Sequence, residues 1–161
     1  MPSDQVLTTN ESTGGKPKSA ARYVTAIVRV LMGLMFFVFG LNGFLHFIPE
    51  PKGGMPEKAM AFAGALMNTG YMMPLVMGTQ LLVGVLLLLN RFVPLALALI
   101  APILVGIVTF HIFLAPSSIA PGIVLLIMEL YLAWAYRNAF GPMLAARTNP
   151  ASSAIETHLR S

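Results

Sequence analysis

Long apolar stretches, separated by short polar breaks, dominate the chain. They cover residues 23–48, 71–90, 92–114 and 119–139, and few charged side chains interrupt them. A helix of about 20 apolar residues suffices to cross a bilayer core of roughly 30 Å. The pattern therefore predicts an all-α integral membrane protein with four spanning helices.

The breaks between the stretches predict how the helices connect. Residues 90–91 and 115–118 leave room only for tight turns, and short connections place neighbouring helices antiparallel. Between the first two spans, the Pro- and Gly-rich residues 49–69 predict a loop with a short amphipathic helix over 56–67. That helix is too short to span, so we expect it at the membrane interface or partly re-entering. The expected fold is an up-down four-helix bundle with this short interfacial helix between spans one and two.

The ends of the chain differ from its apolar middle. Residues 1–22 are polar and lack apolar periodicity, which predicts a disordered tail. The apolar run that follows is far longer than a signal-peptide core, so we expect it to be a retained helix. Residues 141–161 form a second polar tail, and the predicted transmembrane domain covers residues 23–140.

Composition narrows the class of protein. Hydrophobic residues make up 57% of the 161 positions and charged residues only 10%, whereas soluble domains carry roughly 25% charged residues. A soluble domain with a polar surface is therefore excluded. The chain has no cysteine, which excludes disulfides and thiolate-bound iron–sulfur clusters.

Basic residues outside the spans predict the orientation. Seven would lie on one side of the membrane, and only Lys52 and Lys58 on the other. An excess of Lys and Arg marks the cytoplasmic side, so we expect both termini in the cytoplasm. This distribution is an orientation signal rather than a nucleic-acid-binding surface. The seven residues are Lys16, Lys18, Arg22, Arg91, Arg137, Arg147 and Arg160.

Two charged side chains lie inside the predicted spans, Arg29 in the first and Glu129 in the fourth. Counted from the same side of the membrane, their depths match, and a guanidinium pairs well with a carboxylate. We therefore expect a structural ion pair that holds the first and last helices together. One alternative is a role in proton or substrate handling. Another is that Arg29 reaches the lipid headgroups while Glu129 is protonated.

Five other polar side chains are expected to line a cavity near the opposite end of the bundle. Asn42 and His46 are four residues apart, so one face of the first helix carries both. Thr109 and His111 lie near the outer end of the third span, and Gln80 lies midway along the second. An apolar cavity with a few convergent polar groups is typical of a ligand pocket.

Several functions fit these residues. Each histidine could form hydrogen bonds at the membrane interface, or the set could hold a quinone, with His and Asn donating to its carbonyl oxygens. Haem ligation by His46 and His111 is an alternative that rests on the two histidines alone. Copper bound by a histidine and methionines would suit thioether chemistry, but the methionines show no repeated ligand spacing. We therefore predict no metal site.

Four segments carry a resemblance to a known family. They are RVLMGLMFFVFGLNGFLHFIP in the first span, TGYMMP before the second, LLVGVLLLLNRFVPLALALIAPILVGIVTFHIFLAP through the third, and LYLAWAYRNAF at the end of the fourth. Over residues 25–140 the chain resembles the DoxX family of small bacterial four-helix membrane proteins. The resemblance implies a four-helix membrane bundle with an association with electron transfer, since related proteins include a subunit of thiosulfate:quinone oxidoreductase.

The resemblance also bounds the expected function. No agreed set of catalytic residues comes with the family, and many members have Glu where this chain has Gln80. We expect an accessory subunit of a quinone-linked redox system in a bacterial inner (plasma) membrane, with a pocket for a quinone or another lipophilic ligand rather than for a haem. Its partners would be the lipid bilayer and membrane or redox proteins. The alternatives are a non-catalytic scaffold or assembly factor, and a small transporter that uses Glu129 and Gln80.

Overall fold

The computed structural model describes residues 17–49 and 54–143, and within these ranges all regular structure is helical. The all-α fold class is therefore confirmed. The helices are α1 (Pro17–Leu45), α2 (Glu57–Asn68), α3 (Met72–Leu88), α4 (Val93–Phe113), α5 (Ala120–Ala135) and α6 (Arg137–Phe140), with a 3-10 turn at Pro116–Ser118.

Helix length and apolar composition mark a multi-pass membrane protein. Helix α1, over Ala20–Leu45, and helix α4 are each long and apolar enough to cross a bilayer. Helices α2 and α3 meet at 92° and count as a third span only if the bent pair is taken together. Helix α5 is apolar but has 16 residues, or about 24 Å at 1.5 Å per residue. The second and fourth spans are thus shorter than the sequence predicts.

The first helix begins earlier and ends earlier than predicted. It begins at Pro17, so residues 17–22 are helical instead of belonging to a disordered tail. It ends at Leu45 because His46 adopts a left-handed conformation with φ 51°, and the His46 N–H bonds to the Asn42 carbonyl at 2.8 Å. This bond across a left-handed residue is a common helix stop. The chain therefore leaves the helix before His46.

Helix α3 is also followed by a left-handed residue, Asn90. Its φ of 54° is left-handed, a conformation that asparagine tolerates better than most residues. The Asn90 N–H bonds to the Leu87 carbonyl at 3.2 Å, and the Arg91 N–H bonds to the Leu86 carbonyl at 3.0 Å. These two bonds form a Schellman motif, which reverses the chain into α4.

Helices α1 and α3 pack antiparallel with their backbones in contact. A Cβ on Gly33 would lie 3.0 Å from the Leu87 Cβ, and one on Gly40 would lie 2.5 Å from the Leu81 nitrogen. The earlier residue of α1, Gly33, meets the later residue of α3, and Gly40 meets the earlier one, so the two helices are antiparallel. A Cβ on Gly84 would lie 2.5 Å from a backbone nitrogen of α1. Small residues therefore permit the close approach that membrane helices often use.

The bundle has two distinct ends. The starts of α1 and α4 and the ends of α3 and α5 form one, which we name the Arg29 end. The ends of α1 and α4 and the start of α3 form the other, which we name the His111 end. Between them, large apolar side chains from four helices fill a buried core. These include Met32, Phe36, Leu87, Ile100, Leu104 and Leu132.

Candidate ligand-binding pocket

A cavity of about 530 Å³ lies between α2, α3 and α4 at the His111 end. Its volume falls within the range of roughly 300–1,000 Å³ of small-molecule sites. Most of its wall is apolar, and Gln80 and His111 are the hydrogen-bonding side chains among the residues that line it. We name this cavity the His111 pocket.

Helix α2 covers one side of the His111 pocket. It crosses the axis of α3 at 92°, and its Phe62 ring packs against the Phe110 ring of α4 with centroids 5.7 Å apart. Ala59, one turn earlier, is fully buried, whereas Glu57 and Lys58 are exposed. The amphipathic helix that the sequence predicts therefore exists, and its apolar face closes the pocket.

The pocket also reaches the outer surface of helix α4. Pro102 and Gly106 both line it and are both exposed. A Cβ added to Gly106 would meet no atom of residues 17–49 and 54–143 within 4 Å, so none of the described helices covers this position. Because α4 is long and apolar enough to cross a bilayer and both residues lie near its middle, we expect the opening to face the lipid hydrocarbon rather than water.

His111 is held in one tautomer by its own helix. Its Nδ1 lies 2.8 Å from the Ile107 carbonyl oxygen, and a carbonyl can only accept, so Nδ1 carries the proton. The Phe110 ring meets the imidazole edge to face at 5.3 Å. In the neutral ring Nε2 is then an acceptor. His111 therefore offers a ligand an acceptor, whereas the sequence predicts a donor to a quinone carbonyl.

Gln80 supplies the second polar group of the pocket. It lies on α3, is 6% exposed, and has apolar neighbours such as Met73 and Val76 along the same wall. Its amide carries both a donor NH₂ and an acceptor oxygen. Together, Gln80 and His111 present one donor group and two acceptor atoms to an otherwise apolar cavity.

The three other residues predicted for this pocket lie elsewhere. The Asn42 Oδ1 accepts a 2.7 Å hydrogen bond from the Ile48 N–H, so Asn42 caps the end of α1. His46 follows the helix and is exposed, and Thr109 faces outward, away from His111. None of the three lines the pocket. The pocket therefore does not unite the two histidines that haem ligation would need.

Methionines also contribute to the pocket wall, but they serve packing. Met55, Met73 and Met77 all line it. A Cβ added to Gly43 of α1 would lie 2.7 Å from the Met77 sulfur, so that sulfur fills the space beside a glycine. Residues 17–49 and 54–143 contain no group of three or more His, Cys, Asp or Glu placed to hold a metal ion.

The structure gives Arg29 a partner that the sequence analysis missed. Arg29 is 9% exposed, and its Nη1 donates to the Leu87 carbonyl in the last turn of α3. A cation at a helix C-terminus interacts favourably with the helix dipole and with its free carbonyl groups. The sequence carried one signal for this contact, since the turn at Asn90 lies at the depth of Arg29.

Glu129 lies on the inner face of α5 but is not joined to Arg29 by a hydrogen bond. Its side chain is 6% exposed, and its Oε2 has no hydrogen-bond partner among the described residues. The guanidinium instead bonds to the carbonyl of α3. The structure therefore does not show the expected Arg29–Glu129 ion pair, which stays a prediction.

Comparison with known proteins identifies a family. The sequence model of the DoxX family matches residues 24–112, which is more than half of the chain. No curated protein and no solved structure matches it.

Proposed function

The chain belongs to the DoxX family, and from this premise we propose that it holds a quinone, or a similar lipophilic ring compound, in the His111 pocket. It would do so as an accessory subunit of a quinone-linked redox system in a bacterial inner membrane. The observation that carries the proposal is an apolar cavity of about 530 Å³ that is lined by Gln80 and His111. It opens beside the middle of α4, a helix long enough to cross a bilayer.

The polar groups suit both oxygen atoms of the reduced ligand and one oxygen atom of the oxidised ligand. A quinone carbonyl needs a donor, which the Gln80 amide supplies. A quinol hydroxyl needs an acceptor, which the His111 Nε2 supplies because Nδ1 is bonded to Ile107. The reduced form, with its hydroxyl groups, should therefore bind more tightly than the oxidised form. The lipid-facing opening gives a ligand dissolved in the bilayer a direct route to these groups.

The test is direct titration of the purified full chain in mild detergent with decylubiquinol and decylubiquinone. A second readout is the identification, by mass spectrometry, of quinones extracted from the purified protein. Gln80→Leu should weaken binding of both compounds about tenfold or more, and His111→Phe should weaken binding of decylubiquinol by a similar factor, because each leaves a polar ligand atom without a partner in an apolar site. His111→Phe should not weaken binding of decylubiquinone, whose carbonyl cannot donate to the His111 Nε2.

A third variant blocks the pocket without altering its polar groups. Gly106→Leu adds a side chain to the pocket wall at a position with free space around its Cβ, so the fold should persist while ligand is excluded. Gly64→Leu on α2 is the matched control, since Gly64 also has free space but does not line the pocket. Equal binding by both variants would show that the pocket is not the ligand site.

The same measurements separate this proposal from the alternatives. A scaffold or assembly factor would bind neither decylubiquinol nor decylubiquinone, and its function would survive Gly106→Leu. A transporter with a polar path through Gln80 and Glu129 would need the two side chains in one cavity, but Glu129 does not line the His111 pocket.

A further inference from the structure

A second cavity, of about 490 Å³, lies between α1 and α5 at the Arg29 end. We name it the arginine cavity, because Arg22, Arg29 and Arg137 all line it. Its described lining includes no acidic side chain. Three guanidinium groups around one space, with no carboxylate in its wall, give a strongly positive site beside the membrane.

We propose that the arginine cavity binds a phosphate group. A guanidinium presents a planar fork of N–H donors that matches two phosphate oxygens, and phosphate accepts from several such forks at once. The proposed quinone pocket does not involve this site, which lies at the other end of the bundle.

Two of the three arginines are held in place before any ligand arrives. The Arg29 Nη1 donates to the Leu87 carbonyl. Arg137 lies over the Trp134 ring, 4.8 Å from its centroid, and its Nη1 donates to the Trp134 carbonyl at 3.1 Å. Each of these bonds uses one of the five donors that a guanidinium carries. Little side-chain entropy is then lost when the remaining donors meet an anion.

A hydrogen bond between α1 and α5 fixes the width of the cavity. The Thr25 hydroxyl donates to the Ala21 carbonyl at 2.9 Å, so the Tyr131 hydroxyl, 3.1 Å away, is the donor to Thr25. Both residues line the cavity. This link joins α1, which carries Arg29, to α5, which ends two residues before Arg137, and so holds the guanidinium groups around a common space.

The aromatic residues of the cavity place it at the depth of lipid headgroups. Tyr131, Trp134 and Tyr136 all line it, and Tyr and Trp concentrate where the bilayer meets water. Two sources of a phosphate group reach that depth. One is the headgroup of an anionic phospholipid, and the other is a free phosphate anion from the adjoining water.

The experiment measures binding of two probes to the purified full chain in detergent. One probe is dioleoylphosphatidylglycerol, followed by native mass spectrometry, with dioleoylphosphatidylcholine, which is zwitterionic and has no net charge, as the comparison. The other is inorganic phosphate, followed by calorimetry. The double variant Arg22→Gln/Arg137→Gln should weaken binding about tenfold or more, because it removes two charge-assisted contacts. Arg29→Lys, which keeps the charge but loses the fork, should weaken it less.

Arg91→Gln is the matched control. Arg91 is exposed at the same end of the bundle, in the turn after α3, but does not line the cavity. An equal loss in the control and the double variant would mean general charge attraction and overturn the proposal, as would binding of neither probe. If phosphatidylglycerol binds and inorganic phosphate does not displace it, the cavity is a lipid headgroup site. If inorganic phosphate displaces the lipid and also binds when no lipid is present, the cavity is a site for a free phosphate anion.

Discussion

Helix α3 meets its two neighbours in opposite ways. Against α1 it packs so closely that a Cβ on Gly84 would lie 2.5 Å from the Phe37 nitrogen. Against α4, on an adjacent face, it leaves the His111 pocket of about 530 Å³. The same helix thus supplies a tight backbone contact and the wall of a cavity. Side-chain size at a few positions, rather than overall hydrophobicity, decides which of the two forms.

The close contact and the cavity depend on each other. The tight α1–α3 interface fixes α3, so the pocket wall that carries Gln80 has a rigid support. Met77 belongs to both features, since it packs against Gly43 of α1 and also lines the pocket. On the other wall, Pro102 and Gly106 of α4 bring little side-chain volume. A pocket persists there because one helix is firmly held and the other cannot fill the gap.

The strongest test of this contrast is Gly84→Ala. The added methyl group would meet backbone atoms of α1, which cannot turn away as a side chain can. We expect the free energy of unfolding to fall by about 3 kcal/mol, at the upper end of overpacking costs. Thermal unfolding of the purified protein in detergent, followed by circular dichroism, measures the change.

Gly78→Ala on the same helix is the control. The nearest atom to its added Cβ would be the Phe44 Cζ at 4.0 Å, an ordinary contact. Alanine also favours a helix over glycine by about 1 kcal/mol, so this variant should be equally or slightly more stable. If the two variants lost the same stability, the α1–α3 interface would not be the tight contact described here.

The sequence predicted the features that depend on periodicity and composition. Apolar stretches and tight turns gave the helical class and the order of the helices, and the Pro- and Gly-rich loop gave α2. It did not predict where helices stop. His46 and Asn90 take left-handed conformations, and such single-residue stops leave little trace in a hydropathy pattern. Because the sequence analysis extended the first helix through His46, it placed that residue in the predicted pocket. Of the five side chains predicted to line the pocket, Gln80 and His111 do so.

The partner of Arg29 was missed for a different reason. Matching charges by depth pointed to Glu129, whereas the structure offers a backbone carbonyl of α3. Side-chain patterns do not reveal which carbonyl groups at a helix end accept a side chain, because every helix has such carbonyl groups in its last turn. A charged residue inside a span can therefore find a partner that carries no charge.

Removing that contact should have the next largest effect. Arg29→Met keeps most of the volume but loses the donor to the Leu87 carbonyl. We expect a loss of about 2 kcal/mol in unfolding free energy, as for a buried hydrogen bond from a charged group. Arg91→Met, at an exposed position at the same end, is the control and should change stability little.

A double-mutant cycle with Glu129→Gln decides which partner Arg29 has. If the contact with α3 is the main one, the effects of Arg29→Met and Glu129→Gln should add to within about 0.5 kcal/mol. A coupling well above that value would restore the ion pair and argue against the bond to the Leu87 carbonyl as the principal interaction.

The smallest expected effect is the sharpest test of where the pocket ends. His46→Ala should leave decylubiquinol binding unchanged, because His46 is exposed beyond α1 and does not line the pocket. His111→Ala should weaken binding about tenfold, since it removes the acceptor at Nε2. The same titration in detergent measures both variants. Equal losses of affinity would mean that both histidines contact the ligand and that α1 continues through His46. A loss confined to the His111 variant would assign the ligand to the pocket between α3 and α4.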